Sequence, residues 1–176
     1  MKQRGSRQPV LLYLDQNYLS GIAKRKPAFR ELEPALRGAV RDDAVRVTES
    51  PVHEVESAAR PDLGLLPLLR ELSGGLRLPA ERGRAERGCA RALRAMVERD
   101  YPVRPRRESD ERDIDALSLA LPGCDLVTCD AFMAELIRRA RLDLRFDCEL
   151  FTGRRPDVER LRERLEELAA STGLLR

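Results

Sequence analysis

The chain has 176 residues, a formal net charge of +3 and 36% charged residues, which suits one domain with its own core. Its longest apolar stretches are strand-sized, excluding a membrane-spanning helix, and Val10–Leu14 after the basic start is too short for a signal peptide, so a cytoplasmic location is expected. Cys89, Cys124, Cys129 and Cys148 contain no Cys-x-x-Cys pair and His53 is the single histidine, which argues against a structural zinc site.

Val10 to Leu14 reads as a fully buried strand. Short helices are expected over about 17–24 and from Pro27 to about Val40. Ala44 to Thr48 is a β-rich strand, and Pro51 opens a helix to about Ala59. Leu65 to Leu72 is helical and stopped by Gly74-Gly75. Leu76 to Pro79 reads as a short extended piece, and Ala80 to Arg99 as a long polar helix. Tyr101 to Glu108, with Pro102 and Pro105, is a basic loop. Ser109 or Asp110 is placed to cap a helix ending near Leu121. Cys124 to Cys129 is the next buried strand, followed by a helix over about 131–141. Leu142 to Phe146 alternates as a strand does. Pro156 starts a final amphipathic helix with Val158, Leu161, Leu165 and Leu168 on one face, fit to pack on the core or, in a homodimer, on a second copy; the core is the simpler destination. Strands alternating with helices predict an α/β fold with a mainly parallel sheet in a single domain spanning 1–176.

In such a sheet, ligands sit beyond the carboxyl ends of the strands. Asp15 and Asp130 each close a buried strand and each precede a helix. Either acid alone is as well explained as an N-cap. If those two strands are neighbours, two like charges converge there, which is costly unless a cation lies between them. In the helix opened by Pro51, with Val52 at about 0°, Val55 falls at roughly 300°, Ala59 at roughly 340° and Glu56 at roughly 40°, on the inward face. Glu54, at roughly 200°, points outward, and His53, at roughly 100°, marks the boundary as a packing residue. In the next acidic helix, with Asp113 at about 0°, Leu117 falls at roughly 40°, Ala120 at roughly 340° and Asp115 at roughly 200°. Asp113 is thus inward and Asp115 outward. Asp110 is inward too, at the helix start, as a cap or a fifth acid. An arginine ion pair is the alternative for Glu56 and for Asp113. Clustered carboxylates without Cys or His suit hard ions such as Mg²⁺ or Mn²⁺, which serve phosphate chemistry. Between residues 82 and 107 nine arginines face three acids, a patch able to meet phosphates.

Four segments, in order, resemble the PIN-like nuclease family. Leu12-Tyr13-Leu14-Asp15-Gln16-Asn17 is similar to its first motif and Ser50-Pro51-Val52-His53-Glu54-Val55-Glu56 to its second. The third is matched by Asp113 to Ala120 and the fourth by Leu126-Val127-Thr128-Cys129-Asp130. The resemblance spans 10–147 and looks like a divergent branch more than the compact toxins of toxin–antitoxin pairs. It implies a three-layer α/β/α sandwich and a metal-dependent endoribonuclease. Asp15, Asp113 and Asp130 would be direct or water-mediated Mg²⁺ or Mn²⁺ ligands, with Glu56 assisting. Asn17 and Thr128 would hold ligands or phosphate by hydrogen bonds, with local capping as the alternative. Arg104, Arg106 and Arg107 are candidates for RNA contact. The expected partners are an RNA substrate and, for a toxin-like member, a protein inhibitor or antitoxin; no membrane is expected. The competing readings are a catalytically inactive module that binds RNA or a protein, and a phosphatase of the haloacid-dehalogenase type. The phosphatase chemistry wants an Asp where Asn17 stands. A receiver domain wants a late lysine, and the lysines are Lys2, Lys24 and Lys26 only.

Overall fold

The structure is a computed structural model that describes residues 8–58, 61–103, 105 and 107–173. Four strands, β1 (Val10–Tyr13), β2 (Val45–Thr48), β3 (Leu126–Cys129) and β4 (Glu149–Thr152), form one sheet in the order β2-β1-β3-β4. All pairings are parallel, with Leu12 opposite Val47 on one side and Leu126 on the other. Arg77 extends the sheet beyond β2 through a parallel bridge to Glu49.

Alternation along the strands sends side chains to two separate cores, as the strand period of two requires. Tyr13, Val127 and Leu150 face one core with helices α5 (Arg84–Asp100), α6 (Glu108–Gly123) and α7 (Ala131–Arg139). Leu12, Leu14, Val45, Val47, Leu126 and Phe151 face the other. That second layer is built by α1 (Gln16–Ala23), α2 (Phe29–Arg41), α4 (Leu65–Ser73) and α9 (Arg155–Gly173). The molecule is therefore an α/β sandwich with a fully parallel sheet between two helical layers. Val158, Leu161 and Leu165 are buried in it, with Leu168 packed alongside, so α9 uses its apolar face on the core. Among the described residues, no helix is long and apolar enough to cross a membrane.

Local chemistry sets the element ends. Asp15 and Asp130 are the N-caps of α1 and α7, accepting from the amides of Tyr18 and Met133 at 3.2 and 2.7 Å. Gly74, with φ +58°, ends α4. At the sheet margin, Arg160 of α9 donates to the carbonyl of Leu150, and its guanidinium lies 4.5 Å from the Phe151 ring centroid.

Four expectations are corrected. Leu142–Phe146 is a short helix, α8, enclosed by Arg141 and Asp147 in the left-handed region at φ 54° and 52°. Its apolar residues bring Leu142 and Phe146 one turn apart, and the last strand is instead Glu149–Thr152. Helix α5 starts at Arg84, not Ala80, after Gly83 in extended conformation. Helix α6 starts at Glu108, with Arg107 at the cap position and no side-chain cap, so Ser109 and Asp110 lie within its first turn. In α3 (Pro51–Ala58) the buried residues are His53 and Ser57, while Val55 is 58% exposed. The inward direction is set by polar residues there, so taking Val52 and Val55 as its guide misplaced it. Ala59 lies outside the described residues.

Candidate functional site

Strand β1 is the turning point of the sheet: β2 flanks it on one side and β3, reached after a long crossover, on the other. The carboxyl ends of β1 and β3 therefore border the crevice where such sheets bind ligands. Asp15 and Asp130 follow those ends directly. Thr128, on β3, ties them together. The Asp15 amide donates to Thr128 Oγ1 at 2.7 Å, and the Thr128 hydroxyl donates to Asp15 Oδ1 at 3.0 Å. Asn17 Nδ2 donates to Asp15 Oδ2 at 3.2 Å. Thr128 and Asn17 thus hold Asp15 as well as serving local structure.

Beneath this edge lies a polar floor built around His53, the residue expected to serve packing. His53 is fully buried; its Nδ1 accepts from the Ser50 amide at 3.0 Å, so Nε2–H donates to the Leu14 carbonyl at 2.8 Å. That bond pins the start of α3 to the end of β1. Tyr13 stacks on the His53 ring at a centroid distance of 5.0 Å. Burial pushes the Tyr13 phenol well above its usual range against a hydrogen bond with Ser50, and the charges of Asp15, Glu56 and Asp113 push it further. The Cys129 thiol is pushed up by burial and by Asp15, Asp130 and Asp113. The Ser-x-x-His spacing ahead of the Glu56 turn was the available signal for His53; nothing local marked Tyr13. On the far margin, Tyr18 donates to the Thr152 carbonyl at 2.6 Å, and Asp157 accepts from the Thr152 amide and hydroxyl. Burial raises the Asp157 carboxyl, but Thr152 and Arg160 outweigh it and leave it below its ordinary value.

Asp15, Glu56, Asp113 and Asp130 are all half-buried, and they share one field. Burial raises the Asp15 carboxyl, and Asp130 adds to this against the hydrogen bonds it accepts. Burial raises Glu56, as does Asp15, while Arg112 opposes. Asp113 is pushed up to about 7, by burial first and then by Asp130, Glu56, Asp15 and Asp110. Asp110 therefore acts on the cluster from the first turn of α6.

The arginine pairs separate the acids. Glu54 is paired with Arg70 and Arg77, and Asp115 with Arg82 and Arg94 at 2.7 and 2.9 Å. These are the two acids that the helical geometry turned outward. Among the described residues, neither Glu56 nor Asp113 has a hydrogen bond or ion pair. An arginine-rich chain has left two half-buried carboxylates unpaired beside two strand-end aspartates, at a cost in stability. Glu49, a further strand-end acid, is instead taken up by Ser73 and Arg77.

The four carboxylates do not form a ready-made cage. Among the described residues, no three His, Cys, Asp or Glu side chains are placed to hold one ion. Oxygen-only donors that share one electrostatic field fit a hard cation that keeps much of its water, as Mg²⁺ does when one or two carboxylates bind it. Arg107 is exposed at the start of α6; Arg104 and Arg106 lie outside the described residues. Comparison with family models, with curated proteins and with solved structures finds no match to the chain.

Proposed function

We propose that the protein is a metal-dependent endoribonuclease working at the carboxyl edge of β1 and β3. The observation that carries this reading is the pair of unpaired, half-buried acids, Glu56 and Asp113, raised by burial first and then by neighbouring carboxylates, Asp15 for Glu56 and Asp130, Glu56 and Asp15 for Asp113, at the switch point of a parallel sheet. Mutual repulsion of this kind is relieved by a bound cation. A divalent ion there supplies charge neutralisation on phosphate oxygens and an acidified water. Asp15, Asp113 and Asp130 are the residues to hold it, directly or through water, with Glu56 close by. Thr128 and Asn17 keep the Asp15 carboxylate oriented. His53 is buried and hydrogen-bonded on both nitrogens, so it takes no part as a base. The phosphatase reading lacks its second acid, because Asn17 bonds to Asp15 at that position. A cytoplasmic setting suits an RNA substrate and, in a toxin-like role, an antitoxin partner.

The test is cleavage of single-stranded RNA with Mg²⁺ or Mn²⁺, combined with a melting series over the same ions. The expected result is ion-dependent cleavage that falls by at least about 100-fold in Asp15→Asn and Asp113→Asn, with both variants folded. Undiminished cleavage by either variant, in preparations free of other nucleases, would overturn the reading. Ion-insensitive melting without cleavage would favour a non-catalytic module that binds RNA or a protein.

A further inference from the structure

Away from the acidic edge, the outer face of α5 gathers arginines that no acid takes up. Many arginines are matched with acids, as along α9, where Arg155 meets Glu159, Arg160 meets Asp157 and Arg164 meets Glu149, while Arg25, Arg30, Arg107, Arg138, Arg141 and Arg154 stand without an ion pair among the described residues. On α5, Arg84, Arg87 and Arg91 are exposed and, among the described residues, form no ion pair; nor does Arg145 of α8. Arg87 and Arg91 stand one turn apart as like charges, a spacing that weakens a helix. Arg84 and Arg91 wall one side of a shallow groove of about 380 Å³, Arg145 walls the other, and Gly88, Ala92 and Ala95 make its floor. A Cβ added at Gly88 meets nothing within 4 Å, so packing does not require a glycine in mid-helix, where it is a poor helix former. What its absence of side chain keeps is an open trough between guanidinium groups.

We propose that this groove holds the phosphodiester backbone of single-stranded RNA, a site separate from the acidic edge and from the basic loop at 101–107. It deepens the nuclease reading by naming a surface that holds the substrate, and rests on it for the choice of RNA. Guanidinium forks match phosphate oxygens two at a time. A floor of glycine and alanine lets a backbone come close, and it offers neither the aromatic platforms that stack bases nor the apolar anchors of a protein interface. The contact is therefore to the backbone, independent of sequence.

The experiment uses the whole chain and a short fluorescein-labelled oligouridylate in EDTA, with Kd read by anisotropy over a salt series. The triple variant R84Q/R91Q/R145Q is expected to bind at least about tenfold more weakly at low salt, with the slope of log Kd against log salt reduced by about 2, at roughly 0.7 per lost phosphate contact. A control, R30Q/R41Q/R155Q, removes as many charges from the opposite layer and is expected to keep the slope. Gly88→Glu is expected to raise the melting temperature while weakening RNA binding, a combination that misfolding cannot produce. Unchanged binding in the triple variant or in Gly88→Glu, or an equal loss in the control, overturns the proposal. So does competition by polyglutamate as strong as by unlabelled RNA, which would assign the groove to acidic protein segments. Because no divalent ion is present, binding here without any cleavage by the ion-loaded protein sinks the nuclease reading alone. Cleavage with unaltered binding in the triple variant sinks this one alone.

Discussion

Asp113 is held in the folded chain with its carboxyl near 7, against about 3.9 for a free aspartate. The native state therefore keeps a proton that the unfolded chain gives up. Its ionisation makes the fold less stable as pH rises from about 4 to about 7, and the loss is complete above that range. Asp113→Asn removes this penalty. In EDTA at pH 8 the variant should gain on the order of 1–2 kcal/mol, a figure reduced for solvent screening of a half-buried group. Near pH 4 most of the gain should be gone, because the wild-type carboxyl is then neutral in the folded chain and only about half ionised in the unfolded one. Denaturant titrations at the two pH values measure it, and an equal effect at both would mean that charge is not the cause. Asp113 was legible in the sequence because helical geometry turned it inward while Asp115 turned out; in α3 the apolar guide was wrong, and Glu56 was singled out by its place in the second motif-like segment. That their outward neighbours would take the arginines was not legible, because ion pairs between distant segments depend on tertiary contacts. His53 was legible as a packing residue and is one, whereas Tyr13 was hidden for the same reason: its meaning comes from stacking across β1 and α3.

Glycines distinguish the helices by what surrounds them. A Cβ at Gly21 in α1 would lie 2.7 Å from the Phe29 ring, which itself meets Tyr18 edge-on at 5.2 Å. Alanine is the better helix former, yet Gly21→Ala should cost roughly 1–3 kcal/mol by overpacking this α1–α2 contact. A melting curve at or above that of the wild type would show that Phe29 gives way freely. Most elements could be read from pattern: β1, β2, β3, α4 and α9 stand close to where periodicity and Gly or Pro signals put them. The last strand could not. Leu142, Leu144 and Phe146 alternate as in a strand, but Leu144 is 67% exposed, and five residues cannot separate a period of two from a single helical turn. Glu149–Thr152, with only Leu150 and Phe151 apolar, carried too little signal until its pairing with β3 was in place.

At the scale of the molecule, the parallel sheet has two margins of different character. Beyond β2, the bridge at Arg77 takes up the backbone groups of Glu49 at 2.8 Å on both sides. β4 stands last in the sheet order and, among the described residues, has no neighbouring strand beyond it. Its outward carbonyl at Leu150 is occupied by the Arg160 guanidinium, which also lies over Phe151. A side chain that fills an open carbonyl with a charged donor also denies that carbonyl to a second molecule. Arg160→Ala should then leave the fold intact yet prone to edge-to-edge self-association, seen as scattering that grows with concentration and is blunted by dilution. Scattering no different from that of the wild type would mean that β4 is shielded by its short length alone. One arginine in the final helix, with no part in the acidic site, would in this way keep the protein from becoming a template for its own aggregation.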